Sequence, residues 1–241
     1  MLKIENVKVI GWEHAIRGMR NPMNSWGKSD SCWRYGFPCG PGYAEVEYSD
    51  DATFYVGPND RELMKRLSAA GTDHRKFMRM IVAYLDIVAP LYWWKEFDTY
   101  KIGTVANSCS TMHKIAEKEF TIDDFSTEHL FPEVREAFET SIIKALNIFR
   151  DLYLGFDGFK EQCSEHKKKE YWWQMIQLLP SSYNQRRTIM LNYEVLANIY
   201  KSRRNHKLDE WRTLCDWIET LPCHELITGG SENESEHVED R

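Results

Sequence analysis

A chain of 241 residues with 42% hydrophobic and 13% aromatic side chains can bury a core without a disulfide or metal staple, which excludes a disordered or fibrous polypeptide. The net charge of −6 is concentrated at one end: from Gly229 the stretch GGSENESEHVEDR carries five acids against Arg241, a net −4, leaving −2 for the rest. A body so near neutrality has no global basic face, which argues against duplex nucleic acid as a partner and leaves room for a local anion such as a nucleotide phosphate.

No run approaches the ~18 apolar residues of a membrane helix. The first twenty residues lack the apolar segment and small-residue cleavage site of a signal peptide, so a cytoplasmic location and no membrane partner are expected. The six cysteines (32, 39, 109, 163, 215 and 223) form no C-x-x-C pair and read as free thiols, mostly small core residues. Cys32 and Cys39 with a distant histidine are the one metal arrangement to weigh, and no metal is expected.

In chain order, LKIENVKVIG alternates as a first strand. Residues 11–45, rich in Gly, Pro, Trp and Cys without a period, suggest a long loop with room for a short helix. AEVEYS and ATFYVG read as strands joined by a Ser49-Asp50-Asp51 turn. A helix starts at Pro58-Asn59-Asp60 with Asn59 or Asp60 as its N-cap. A second helix is expected from His74, with Phe77, Ile81, Tyr84 and Val88 on one face and Ala89-Pro90 as the break.

From Thr121 the chain reads as mainly helical, starting at Asp123-Asp124, with 121–170 a helical segment and Lys167-Lys168-Lys169 a solvated face. Pro180 ends one helix, and the region from Thr188 to Leu221 reads as a last long helical stretch. One domain over residues 1–227 is expected, with 228–241 a disordered acidic tail. The fold class is α/β (α+β), a small sheet with long helices and a helical C-terminal half.

No nucleophile-elbow, phosphate-loop or dinucleotide fingerprint occurs. Polar density instead marks two places. YWWKEFDTYKIGTVANSCSTMH, from Tyr92 to His113, follows a break and carries Lys95, Glu96, Asp98, Thr99, Tyr100 and Lys101. It reads either as a surface loop anchored by Trp93 and Trp94 or as the floor of a binding site. The second place holds Asn192, Asn198, Arg203, His206 and Glu210. Asn192 and Asn198 are about 240° apart on an ideal helix, so they do not share a face.

Together these residues resemble the flavin-dependent thymidylate synthases (the ThyX family). That family places a histidine after a glycine-rich connection and then a helix ending in Ala-Pro, matched by His74 and Ala89-Pro90. Its R-H-R signature, followed by seven residues and Ser, falls on Thr99-Tyr100-Lys101 and Cys109, with Ser110 adjacent. Downstream, Leu179-Pro180, Tyr183, Asn192, Leu196, Asn198, Arg203, His206 and Glu210 follow the family's second block.

The resemblance implies a fold of that type, a homotetramer with sites at subunit junctions, and FAD as cofactor. NADPH and methylenetetrahydrofolate would be co-substrates, with methylene and hydride transfer to C5 of dUMP or a related pyrimidine nucleotide. The alternative it leaves is a non-catalytic nucleotide- or flavin-binding relative acting in sensing or sequestration. It implies His74, Tyr100, Lys101, Asn192 and Asn198 as cofactor-binding positions, and Glu96, Asn107, Cys109, Ser110 and Arg203 as substrate-binding ones. Amides can pair with the edge of an isoalloxazine or uracil, and arginine can hold a phosphate bidentately.

The sequence departs from the family where both signature arginines and the signature histidine give way to Thr99, Lys101 and Tyr100. Glu96 stands for a glutamine, Asn107 for a glutamate and Thr111 for an arginine, and the arginine before Leu-Pro is missing. Lysine keeps charge but loses the planar fork. Arg186, Arg187, His113 and Lys114 are the substitutes at hand. Cys109 reads either as a small packed thiol or as a nucleophile able to add to uracil C6.

Overall fold

The computed structural model describes residues 2–155 and 165–229; the readings placed on Cys163 and on the acidic tail lie outside the described residues. The elements of the first half are β1 (Lys3–Ile10), α1 (Trp12–Arg20), β2 (Cys32–Tyr35), β3 (Ala44–Tyr48), β4 (Ala52–Val56), α2 (Pro58–Ala69), a 3-10 segment (Arg75–Met80), β5 (Val82–Pro90) and α3 (Leu91–Phe97). Then come β6 (Thr104–Ser108), α4 (Thr111–Lys114), a 3-10 turn (Ile122–Asp124), α5 (Pro132–Phe138), a π-helical stretch (Glu139–Ile143) and α6 (Lys144–Leu154). The last are α7 (Glu165–Leu178), β7 (Asn184–Asn192), α8 (Tyr193–Arg203), α9 (Asp209–Ile218) and α10 (Glu225–Thr228). The class is mixed α/β, with one sheet in the order β1-β5-β7-β6 and a smaller antiparallel one in the order β2-β4-β3.

The chain divides into two compact units: the first comprises Met1–Lys3, Ile87–Thr99 and Asn107–Thr188, the second Ile4–Asp86, Tyr100–Ala106 and Ile189–Arg241. In the first unit, Trp93, Trp94 and Phe97 are buried on α3, with Trp93 stacked on Phe97 at 5.0 Å. The Trp94 indole N–H donates to the Gln185 carbonyl at 2.9 Å. A second cluster there joins Ile115, Phe120, Phe125, Ile143, Leu146 and Met175.

In the second unit, α1 turns Trp12, Ala15, Ile16 and Met19 inward. The Trp12 ring meets Tyr193 edge-on at 5.3 Å. The small sheet pairs Cys32 with Tyr55 and Trp33 with Phe54, and carries a bulge between Glu45 and Glu47.

Four expectations are corrected. Residues 11–45 hold more than a long loop with a short helix: besides that helix, α1, whose apolar spacing of three to four begins at Trp12, they carry two 3-10 turns and β2. The expected helix after His74 is a 3-10 segment followed by β5. There Ala83, Leu85, Ile87 and Ala89 are buried in strict alternation, so the period of two wins over the spacing of Phe77, Ile81, Tyr84 and Val88. The Ala-Pro pair therefore ends a strand, and Pro90 precedes the first turn of α3, where a missing N–H costs nothing.

Residues 188–192 are likewise the end of β7, so the C-terminal helical region starts at Tyr193 and is divided into α8 and α9. Finally, α2 is capped by neither Asn59 nor Asp60: its N-cap is Gly57, and the Asp30 carboxylate accepts the Asn59 and Asp60 backbone N–H groups at 2.9 and 3.1 Å. A Cβ on Gly57 would stand 2.2 Å from Asp30 Cγ, so glycine is what lets that cap approach. Asp60 is fully buried instead and holds Arg20 at 2.6 Å.

Candidate functional site

The expected residues fall in the two units separately. In the second unit, β7 delivers Asn192 to the start of α8, where its side-chain oxygen accepts the Val195 N–H at 3.0 Å as an N-cap. The Asn192 amide nitrogen faces the 100–103 loop: a Cβ on Gly103, which has φ +79°, would lie 2.9 Å from it. Asn192 thus caps α8 with its oxygen while its amide packs close to Gly103 of the signature-position loop, a structural use of the residue that spacing alone does not disclose.

Within that loop, Tyr100 is half-buried, and its hydroxyl oxygen accepts the Arg203 Nε–H at 3.0 Å. The Arg203 guanidinium also lies over the Trp211 ring at 4.7 Å. Lys101 and His74 are exposed. His206 is turned inward: its Nδ1 accepts the Leu208 N–H at 3.1 Å, and Glu210 is buried.

Two participants are absent from the sequence reading. Arg75 Nε donates to Glu194 Oε1 at 3.1 Å, and its Nη2 reaches Asn198 at 3.5 Å. Glu194 and Asn198 stand four apart on α8 and so share a face, unlike Asn192 and Asn198. Glu194 is 7% exposed, and its second oxygen, Oε2, is buried with no hydrogen-bond partner among the described residues. An i, i+4 Glu/Asn pair beside the His74 neighbour was the available signal.

In the first unit, Glu96 is half-buried on α3 and Asn107 is exposed on β6. Cys109 is exposed, which corrects its reading as a packed thiol. Its backbone is held on both sides, the N–H by the Arg186 carbonyl at 2.9 Å and the carbonyl by Gln185 Nε2 at 2.9 Å. Ser110 caps α4, its hydroxyl oxygen accepting the His113 N–H at 3.1 Å.

Of the expected phosphate substitutes, Arg187 is engaged by Asp98 at 2.9 Å and Gln185 at 3.0 Å, with its guanidinium 4.3 Å from the Trp94 ring. Lys114 pairs with Glu117.

Cavities of about 340 and 210 Å3 lie in the second unit and one of about 460 Å3 in the first; none is lined by an expected site residue. Among the described residues, no group of three His, Cys, Asp or Glu side chains is arranged to hold a metal ion. No helix among them is long and apolar enough to cross a membrane.

Two solved structures of the flavin-dependent thymidylate synthase ThyX from Helicobacter pylori, each with FAD and dUMP, are similar to this chain. Both give a TM-score of 0.60 at 17% identity, covering 95% of this chain and 98% of theirs. The likeness establishes the fold, which is that of a flavin-dependent thymidylate synthase. No protein-family model matches the sequence, and no curated protein matches it.

Proposed function

We propose that this chain is a divergent flavin-dependent thymidylate synthase-like protein that binds FAD and dUMP or a related pyrimidine nucleotide as a homo-oligomer. The observation that carries the reading is the fold match along 95% of the chain to an enzyme holding both ligands. The residues of the second unit fit such a ligand pair. Glu194 Oε2 is a buried acceptor in need of an N–H, the kind of donor that a flavin or uracil ring edge presents. Arg75 supplies a guanidinium beside Glu194 and Asn198 supplies an amide, while Arg203, at the far end of α8, supplies a second guanidinium next to Tyr100. In the first unit, Asn107, Cys109 and Ser110 are the residues proposed to meet the nucleotide.

Bound flavin supplies the hydride for reduction at C5; NADPH and methylenetetrahydrofolate are the proposed reductant and carbon donor. The test is release of the C5 proton of dUMP, followed as tritium, by the full chain with all three present. Release above the flavin-free control supports the reaction.

A second reading, a non-catalytic nucleotide- or flavin-binding relative, is favoured by a specific observation. The signature position is occupied by Thr99-Tyr100-Lys101, Tyr100 is committed to Arg203, and Arg187 is committed to Asp98 and Trp94. Tight flavin binding without tritium release selects that reading.

A further inference from the structure

Cys32 opens β2 and Cys39 lies in the segment that leads to β3; their sulfurs are 3.8 Å apart. That is contact distance for two sulfur atoms. Both cysteines are free and half-buried, and both belong to the second unit. Cys32 is anchored, since β2 pairs with β4 in the register Cys32↔Tyr55. Cys39 is carried by a segment with Gly36 in the left-handed region at φ 75° and Gly40 beside it. Closing from 3.8 Å to the ~2.0 Å of an S–S bond asks for a small local shift in such a segment.

Arg34, two residues on from Cys32, sits beside both thiols: its pKa is raised by its hydrogen bond to Cys39 first and by the charge of Cys32 next. Burial, then Cys39, pushes the Cys32 thiol up, and Arg34 pulls against them. The net direction for Cys32 is upward, with Arg34 offsetting part of the rise, so it is the 3.8 Å contact between the two sulfurs that makes this pair a candidate for closure. The other described cysteines differ. Burial pushes Cys215 up to about 11 and Cys223 to about 12, and Cys109 is exposed in the other unit.

We propose that Cys32 and Cys39 are a modification site: a dithiol that reacts with two-electron oxidants of the peroxide or disulfide class and closes to an intramolecular disulfide. With hydrogen peroxide, one thiolate attacks a peroxide oxygen, the O–O bond breaks, and the departing hydroxide takes a proton to become water. The second thiol attacks the resulting sulfenic sulfur; the S–S bond forms, the S–O bond breaks and a second water leaves. Two thiols lose two electrons and two protons, and one peroxide is reduced to two waters. The bridge ties the segment of Arg34, Phe37, Pro38 and Tyr43, which lines the cavity of about 340 Å3, onto the edge of the small sheet. The same two sulfurs are placed to chelate a trivalent arsenical.

Arg34 lies between the cysteines, so trypsin separates Ser29–Arg34 from Tyr35–Arg61 and a bridge is read directly. The full chain is reduced, desalted, exposed to hydrogen peroxide or oxidised glutathione, alkylated and digested. The expected result is one disulfide-linked species joining the two peptides, lost after dithiothreitol, with both cysteines alkylated in the untreated protein. Phenylarsine oxide, added before alkylation, is expected to protect both cysteines in the unaltered chain and to leave Cys32 alkylatable in Cys39→Ser.

Separate alkylation of both peptides after oxidation, glutathione adducts without the linked species, or equal arsenical protection in Cys39→Ser would overturn the proposal. The linked species is read on the unaltered chain, so a variant that fails to fold does not remove the test.

Discussion

Arg75 and Glu194, 119 residues apart in the chain, meet at 3.1 Å, and only one oxygen of that nearly buried carboxylate is engaged. The second oxygen has no partner among the described residues. A buried acceptor left open in this way costs stability unless something else supplies the donor.

Arg75→Ala would leave the Glu194 carboxylate without its cation. A loss of about 1–3 kcal/mol is expected, read as a lower urea midpoint with an unchanged slope. Adding Glu194→Leu to that variant should recover part of the loss, because removing both partners is cheaper than orphaning one. Equal midpoints for the single variant and the parent would mean that the pair contributes nothing.

The fold was legible in outline, and its errors have physical causes. The stretch from residue 77 to 90 carries two patterns at once: Phe77, Ile81, Tyr84 and Val88 fit a helical face, while Ala83, Leu85, Ile87 and Ala89 of β5 fit a buried strand. Periodicity cannot separate the two in a run that is apolar on both sides. The short helix allowed within residues 11–45 could not be located because Trp12, Ala15, Ile16 and Met19 abut a Gly- and Pro-rich stretch that masks their spacing.

At the candidate site, Asn192, Asn198 and Arg203 stood out as polar residues of the chain's last helical region. Arg75 and Glu194 did not, since a pairing across 119 residues leaves no local mark. Nor did the cap made by Asp30, which reaches α2 from 29 residues away.

Asp60 is fully buried and accepts hydrogen bonds from Arg20 and from the Ser29 and Ser31 hydroxyls, each at 2.6 Å. Burial alone would raise its pKa, but Ser29, Ser31 and Arg20 together outweigh it and the net direction is downward from 3.8. A carboxyl whose folded pKa is depressed stabilises the fold above its unfolded value, and that stability is lost as pH falls through the folded one.

The urea midpoint should therefore drop as pH is lowered below 3.8, and this part of the drop should vanish in Asp60→Asn. Asp60→Ala, which leaves Arg20 buried without its counter-ion, should cost about 3–5 kcal/mol at neutral pH. A neutral-pH cost near zero would contradict the reading.

Gly103 sits at φ +79°, and an added Cβ would lie 2.9 Å from Asn192 Nδ2 and 3.1 Å from Val195 Cγ2. Gly103→Ala should destabilise by about 1–3 kcal/mol through backbone strain and displacement of the Asn192 cap. Thermal unfolding of the variant beside Asn192→Ala measures it. Additive losses in the double variant would show that the two positions are not coupled.

Arg203 donates to Tyr100 and lies over Trp211, a geometry that aims a fixed, half-buried guanidinium. If it receives the anionic part of the ligand, Arg203→Ala should weaken binding by about 2–3 kcal/mol in a calorimetric titration. Arg203→Lys should fall well short of the parent, because lysine cannot reproduce the planar fork. Unchanged affinity in both variants would assign Arg203 to packing alone.

Titration of the purified full chain with FAD, followed by flavin fluorescence and absorbance with and without dUMP, tests the central claim most directly. A saturable response approaching one flavin per chain and altered by dUMP is the predicted result. Flavin fluorescence that stays that of free FAD at excess protein, with dUMP present, would contradict the account.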